Sequence, residues 1–164
     1  MKTTIATLLT LFTIFVMAIT LIQNITLKQN CTGYLKRAAD SNSVETAKSQ
    51  LQMALRYMED NNLTTGYTSV LWRTPDEDIA FWYNNIKDSE LELSNVDSTT
   101  SSLEKSNMLL KLRETLLDGG EKGEVLTVPN GLSRYPNNLL WGVLRLLASV
   151  TLIGLIIWGS VEFN

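Results

Sequence analysis

Apolar residues fall into two long runs near the ends of the chain, with shorter apolar stripes at helical spacing between them. Residues 3–22 carry no charge, and residues 139–158 carry only that of Arg145. Each run has about 20 residues, the length that a helix needs to cross a hydrocarbon core about 30 Å thick. Trp141 and Trp158 bracket the second run, as aromatic residues do at membrane interfaces. The pattern predicts transmembrane helices at 3–22 and 139–158.

One face of the first span carries small, hydroxyl-bearing or flexible side chains at alternating spacings of three and four residues. This spacing places them on one side of a helix. In a membrane, small residues allow helices to approach closely, and Thr hydroxyls bond across the contact or back to the carbonyl four residues earlier. We therefore predict a helix-packing face, which we call the Thr face. It consists of Thr3, Ala6, Thr10, Thr13, Met17 and Thr20.

Arg145 is the one charged residue within either predicted span. Two interpretations stay open at this point. Its long side chain can extend to the lipid headgroups from two turns inside the helix. Alternatively, it faces the Thr face of the first span or a carboxylate of a partner protein.

Two spans predict a transmembrane hairpin with both chain ends on one side. The first span is expected to be an uncleaved signal anchor, since signal-peptide cores have only roughly 7–15 apolar residues. The start at Lys2 favours export of the middle domain, whereas Lys28, Lys36, Arg37 and Arg134 favour the opposite orientation. Charge controls orientation poorly for loops above about 60 residues. We expect an integral membrane protein whose soluble domain is exported, in a periplasmic or other extracytoplasmic space.

The sequence pattern of residues 24–118 predicts a soluble bundle of three or four helices in up-and-down order. Three segments have apolar stripes at helical spacing, and each is preceded by residues with capping-box spacing. These pairs are Asn42 with Glu45, Thr74 with Glu77, and Ser101 with Glu104. Because the phase of the Thr face persists to Ala38, the first span is expected to continue as one helix to about Asp40. Gly33 is its weakest point.

Residues 119–137 are rich in Gly and Pro and are predicted to form a linker. Residues 124–128 have the composition of a short strand, but the sequence offers no obvious partner strand. The expected fold class is therefore an all-α membrane protein. In this fold, two transmembrane helices form a hairpin that flanks the soluble bundle.

Composition removes several classes of function. The chain has 164 residues, a formal net charge of −3 and no histidine. No basic face is present for nucleic acid. Without histidine, the commonest general base and the commonest metal ligand are missing. The single Cys31 excludes an intrachain disulfide and a thiolate metal cluster. We predict a protein without catalytic, metal or cofactor sites.

Two smaller features have alternative interpretations. Cys31 is expected to fill space in the core, although an exported free cysteine can also bridge two copies. Residues 76–78 are three consecutive acids. Carboxylates bind Ca²⁺, but acids in the first turn of a helix are also favoured by its dipole. The helix-start interpretation is preferred because the spacing lacks the glycine and distal Glu of a calcium loop.

Aromatic residues concentrate beside an arginine in the middle of the chain. Three consecutive aromatics span nearly a full helical turn, so one helix face cannot bury all of them. Core packing is the default interpretation. An interaction patch is the alternative, because Trp, Tyr and Arg dominate interface hot spots. The candidate patch comprises Tyr67, Trp72, Arg73, Phe81, Trp82 and Tyr83.

These features favour a non-enzymatic protein with two membrane spans and a helical interaction domain. We expect it to act as an accessory or scaffolding subunit of a membrane complex, or as a homo-oligomer. Its expected partners are the lipid bilayer and either a membrane protein or copies of itself, but no nucleic acid and no cofactor. One alternative is a small oligomeric channel whose Thr face lines a pore. A further alternative is a sensor that binds a ligand in its bundle.

Overall fold

The computed structural model describes residues 2–69, 73–120, 123–134 and 139–162. The chain is mostly helical, and two of its helices are long and apolar enough to cross a membrane, as the sequence predicts. The α-helices, in chain order, are α1 Lys2–Leu27, α2 Gly33–Ala39, α3 Val44–Asp60, α4 Ile79–Ser94, α5 Ser102–Leu116 and α6 Leu139–Glu162.

The first apolar run continues into the soluble part without a break. A five-residue π-helical segment, Lys28–Thr32, joins α1 to α2, so the backbone is helical from Lys2 to Ala39. The amide of Gly33 donates to the carbonyl of Lys28, five residues earlier, as in a π-helix. The first apolar helix thus continues without interruption to Ala39, as the sequence predicts. Its one irregularity is the extra residue in the π-helical turn.

The buried apolar cluster lies where α2, α3, α4 and α5 pack against one another. Each helix contributes apolar residues three and four positions apart, which share one face. The apolar stripe of α5 is only partly buried, since Leu112 and Leu116 are buried but Leu103 is 71% exposed. The largest fully buried side chains of this cluster are Leu35, Leu51, Met58, Leu63, Ile86 and Leu116.

Local hydrogen bonds define the ends of α3. Ser43, and not Asn42, caps its start, where the Ser43 hydroxyl accepts from the Thr46 amide at 3.2 Å. At its end, Asn62 adopts a left-handed conformation with φ of 56°. The Leu63 amide then donates to the Met58 carbonyl at 2.7 Å, which completes a Schellman motif. Asparagine tolerates this left-handed conformation, which ends the helix.

A β hairpin departs from the expected all-α fold. Strands β1 Leu117–Gly120 and β2 Gly123–Leu126 pair antiparallel, with Asp118 opposite Val125. Helix α5 accordingly ends at Leu116, two residues before the predicted end of the helical bundle at 118, and Gly119 of the predicted linker belongs to β1. The helix gives way to a strand because residues 117–120 find backbone partners in residues 123–126.

The segment after β2, which the sequence predicts as linker, packs on the soluble domain. The Asn130 amide donates to the Asp76 carbonyl at 3.0 Å, and the Thr68 hydroxyl donates to the Asn130 carbonyl. Pro129 and Ser133 are buried. Residues 121–122 and 135–137 of the predicted linker lie outside the described residues.

Helices α1 and α6 pack side by side and run in opposite directions. Gln23, late in α1, contacts Arg145, early in α6. Ala6, early in α1, lies beside Trp158, late in α6. Val16 and Ala148 are buried at the middle of this contact.

Candidate functional site

A long seam between α1 and α6 borders most of the predicted Thr face. Ala6 and Thr10 line a shallow depression beside Trp158. Thr13, Met17 and Thr20 line a larger groove of about 760 Å³ next to Arg145, which we call the seam groove. The side chain of Thr3 lies outside the described residues.

The Thr face is only partly covered by α6. Thr13 is buried, with 4% of its surface exposed, whereas Thr10 is exposed and Met17 is 57% exposed. The hydroxyls of Thr10, Thr13 and Thr20 each donate to the carbonyl four residues earlier, at 2.9 Å. Their donors are therefore used within α1, which leaves van der Waals packing as the main contribution of this face.

Arg145 is half-buried and pairs with a neutral residue. Its Nη2 donates to Oε1 of Gln23 at 3.2 Å, and Gln23 is only 4% exposed. The Arg145 Nε is buried and has no hydrogen-bond partner. Among the described residues, none of those that line the seam groove is a carboxylate. The charge on Arg145 is thus left without an anionic counterpart there.

The described residues of the candidate aromatic patch do not form one surface. Trp82 and Tyr83 belong to the buried cluster. The Trp82 Nε1 donates to the carbonyl of Thr127 at 3.1 Å, and the Tyr83 hydroxyl donates to Glu59 at 2.7 Å. This bond to a carboxylate, together with burial, raises the pKa of Tyr83 above its ordinary value. Both polar tips are thereby satisfied inside the fold.

The remaining members of the patch lie at the surface or outside the described residues. Phe81 is 65% exposed, which makes it the outward-facing member of the three consecutive aromatics. The Arg73 guanidinium lies over the Tyr67 ring, 5.6 Å from its centroid, at cation–π distance. Trp72 lies outside the described residues.

Phe81 stands at the edge of a groove of about 310 Å³, which we call the Phe81 groove. It lies between α4, the end of α5 and the segment after β2. Asn85 and Thr115 contribute polar groups, while Ile86 and Pro129 contribute apolar surface. Three acids also line it, namely Asp76, Asp78 and Asp118. The groove therefore combines an exposed aromatic ring with negative charge.

The three consecutive acids at 76–78 are engaged in local hydrogen bonds. The predicted capping box of Thr74 and Glu77 is present, but it starts a 3-10 turn, Pro75–Glu77. Asp78 is the N-cap of α4, which begins at Ile79. Each carboxylate has a partner within the fold. The pairs are Asp76 with the side chain of Asn130 at 2.8 Å, Glu77 with the Thr74 amide at 3.2 Å, and Asp78 with the Ala80 amide at 2.8 Å. These bonds hold the acids just before α4 and not in its first turn, where the helix-start interpretation expected them.

Cys31 lies in the π-helical segment and is fully buried in the apolar cluster, with no exposed surface. A thiol in this position fills space.

Two residues of the contact between α1 and α6 do not belong to the predicted Thr face. Gln23 directly follows the apolar run, where a polar residue is typical of the headgroup level, yet it is buried against Arg145. Val16 is buried against α6 although it lies off the predicted Thr face. The available signal was spacing, since Thr13, Val16, Thr20 and Gln23 also recur at three and four residues.

Comparison with known proteins gives no match for this chain. No family model fits it, and no curated protein or solved structure is similar to it.

Proposed function

We propose that this protein is a non-enzymatic accessory or scaffolding subunit, anchored by two membrane spans, whose soluble domain contacts a partner protein at the Phe81 groove. The partner is either another membrane protein or a second copy of the chain. The observation that carries the proposal is the exposure of Phe81, 65% of whose surface faces solvent beside two aromatic neighbours that are buried. Large exposed aromatics next to a groove are typical of interface hot spots.

In this arrangement α1 and α6 form a transmembrane hairpin, and the soluble helices form a bundle on one side of the membrane. The antiparallel contact between α1 and α6 supports the hairpin, since Gln23 meets Arg145 and Ala6 meets Trp158. Most of the outward surface of both helices is Leu, Ile, Phe and Val, which suits lipid. The exported orientation of the soluble domain remains part of this proposal.

The continuous helix from Lys2 to Ala39 also supports a scaffolding role. Because α1 enters the buried cluster through the π-helical segment, the membrane anchor and the soluble core share one backbone element. A partner bound at the Phe81 groove would then be held at a defined distance from the membrane. Such positioning is what an accessory subunit contributes.

Photo-crosslinking in the native membrane tests the proposal. Benzoylphenylalanine replaces Phe81 in one variant and Leu103 in the matched control, because Leu103 is 71% exposed but lies on α5, away from the groove. We expect a discrete crosslinked species from position 81 and none from position 103. A second copy would give a band at twice 18.4 kDa, and another protein would give a different mass.

Two results would count against the proposal. Equal crosslinking from both positions would show that the ring contacts proteins only by chance collision. A strictly monomeric chain that crosslinks from neither position would remove the partner altogether.

The channel alternative is not favoured by the geometry. A pore would need the Thr face to be free and its hydroxyls available to water. Thr13 is 4% exposed beside α6, and its hydroxyl donates to the Leu9 carbonyl at 2.9 Å. The sensor alternative needs a ligand pocket in the bundle. The Phe81 groove, at about 310 Å³, lies at the lower end of the range of about 300–1,000 Å³ for such pockets.

A further inference from the structure

We propose that the seam groove binds one phospholipid, with its phosphate at the Arg145 guanidinium and one acyl chain along the wall formed by α1 and α6. This inference rests on the membrane insertion proposed above, but not on a protein partner at the Phe81 groove. It assigns a ligand to a surface for which the fold itself supplies no occupant.

An anion beside Arg145 would stabilise its charge. Gln23 accepts one hydrogen bond from Nη2 at 3.2 Å, while Nε is buried without an acceptor. A cation inside a membrane helix is costly unless it meets an anion, backbone oxygens or water. No carboxylate is found among the described residues that line the seam groove. A phosphate in the seam groove supplies the negative charge, and it suits the fork of the guanidinium. Nε itself is buried and is not accessible from the groove, so the phosphate meets the guanidinium at its other N–H groups.

The position of Arg145 along the helices favours a lipid phosphate over a partner's carboxylate. Side chains on a helix lean toward its N-terminus, which for α6 is the side of the soluble domain. The guanidinium accordingly contacts Gln23, which follows directly on the charge-free run 3–22. Asn24 also lines the groove at this level. Phosphates concentrate at this boundary between hydrocarbon and headgroups, whereas a partner's carboxylate would have to be brought there.

The remainder of the groove has the character that an acyl chain requires. Below the Arg145 level it is lined by Ile14, Met17 and Leu152. The hydroxyls of Thr13 and Thr20 also border it, but both donate to carbonyls of their own helix. The wall therefore presents apolar surface with no donor in need of a partner. A polar end beside a cation and an apolar length beneath it match the amphipathic shape of a phospholipid.

Native mass spectrometry of the full chain, released from nanodiscs that contain phosphatidylglycerol, tests the site. We expect one retained lipid per chain and about tenfold weaker retention in Arg145→Gln, since a charge-assisted hydrogen bond is lost. The matched control is Arg56→Gln, which removes an exposed arginine of α3, outside the groove. A second pair tests the acyl chain. Ser149→Phe fills the groove while it keeps Arg145, and Val150→Phe adds the same ring on an exposed position outside it.

The outcomes separate this inference from the proposed function. Reduced retention in Arg145→Gln and Ser149→Phe, with both controls unchanged, supports the site. Equal retention in all variants would mean bulk lipid only and would overturn it. A benzoylphenylalanine at Met17 that crosslinks a polypeptide instead of lipid would also overturn it. A chain that fails to enter the nanodisc would refute the membrane arrangement itself, while crosslinking from position 81 tests the protein partner independently.

Discussion

Replacing Gly33 with alanine should destabilise the protein, although alanine is normally the better helix former. Gly33 has φ of −64° and ψ of −38°, which any residue adopts. Helix propensity alone would therefore predict a gain of about 1 kcal/mol. Steric crowding turns this expected gain in unfolding free energy into a loss, because a Cβ at Gly33 would lie 2.6 Å from the carbonyl oxygen of Lys28. The same oxygen accepts the π-type hydrogen bond from the Gly33 amide and cannot move away while that bond holds.

The expected size follows from these opposing terms. Overpacking that forces a backbone shift costs about 1–3 kcal/mol, so the net loss in unfolding free energy should be about 1 kcal/mol after the propensity gain. The control is Gly142→Ala in α6, where a Cβ would meet no atom within 4 Å. That variant should be neutral or slightly stabilised. Thermal unfolding of the full chain in mild detergent, followed by far-ultraviolet circular dichroism, measures both.

A deletion tests the cause of the effect. Asn30 is exposed within the π-helical segment, and removal of one residue there should convert it to a regular α-helix. In the deletion background Gly33→Ala should no longer destabilise, because the clash with the fifth preceding carbonyl disappears. If Gly33→Ala is as stable as the wild-type chain, or gains as much as Gly142→Ala, the reasoning is refuted.

Three further predictions concern the soluble domain. Leu51→Ala should lower the unfolding free energy by about 2–5 kcal/mol because Leu51 is fully buried, whereas Leu103→Ala at an exposed position should change it by less than about 0.5 kcal/mol. Asn62→Gly should be tolerated, but Asn62→Val should cost about 1–2 kcal/mol because φ is 56°; equal denaturation midpoints would contradict this assignment. The pKa of Tyr83 is raised above its ordinary value of 10.0, mainly because its hydroxyl donates to Glu59. Protonated Tyr83 therefore stabilises the fold below pH 10.0, and this contribution to the unfolding free energy is lost as the pH rises through the folded-state pKa. The unfolding free energy should therefore fall more steeply above that pH in the wild-type chain than in Tyr83→Phe.

Features set by local sequence were predicted well. The apolar spacing of α3 marks Leu51 and Met58 as buried, and both are. The left-handed turn at Asn62 follows from the tolerance of asparagine for positive φ. The start of α3 was placed one residue early because Asn42 and Ser43 are both good caps, and only the backbone path selects between them.

Features set by distant partners could not be predicted. Residues 117–120 directly follow α5 along the chain. They form a strand because their backbone pairs with residues 123–126. The sequence predicted that one of three consecutive aromatics would face outward. Phe81 is the exposed one because the Trp82 indole is held inside, where it donates to the Thr127 carbonyl, 45 residues away in sequence. The burial of Gln23 likewise depends on Arg145 in the other apolar helix.

The packing of the segment after β2 limits how far the soluble domain can move from its second anchor. Asn130 is bound to Asp76 and Thr68, and the described segment ends at Arg134. Only five peptide units separate Arg134 from Leu139, where α6 begins, and they span at most about 18 Å. On the other side, α1 continues through the π-helical segment into the buried cluster. Both connections to the two long apolar helices are therefore short, which limits how far the soluble helices can separate from them.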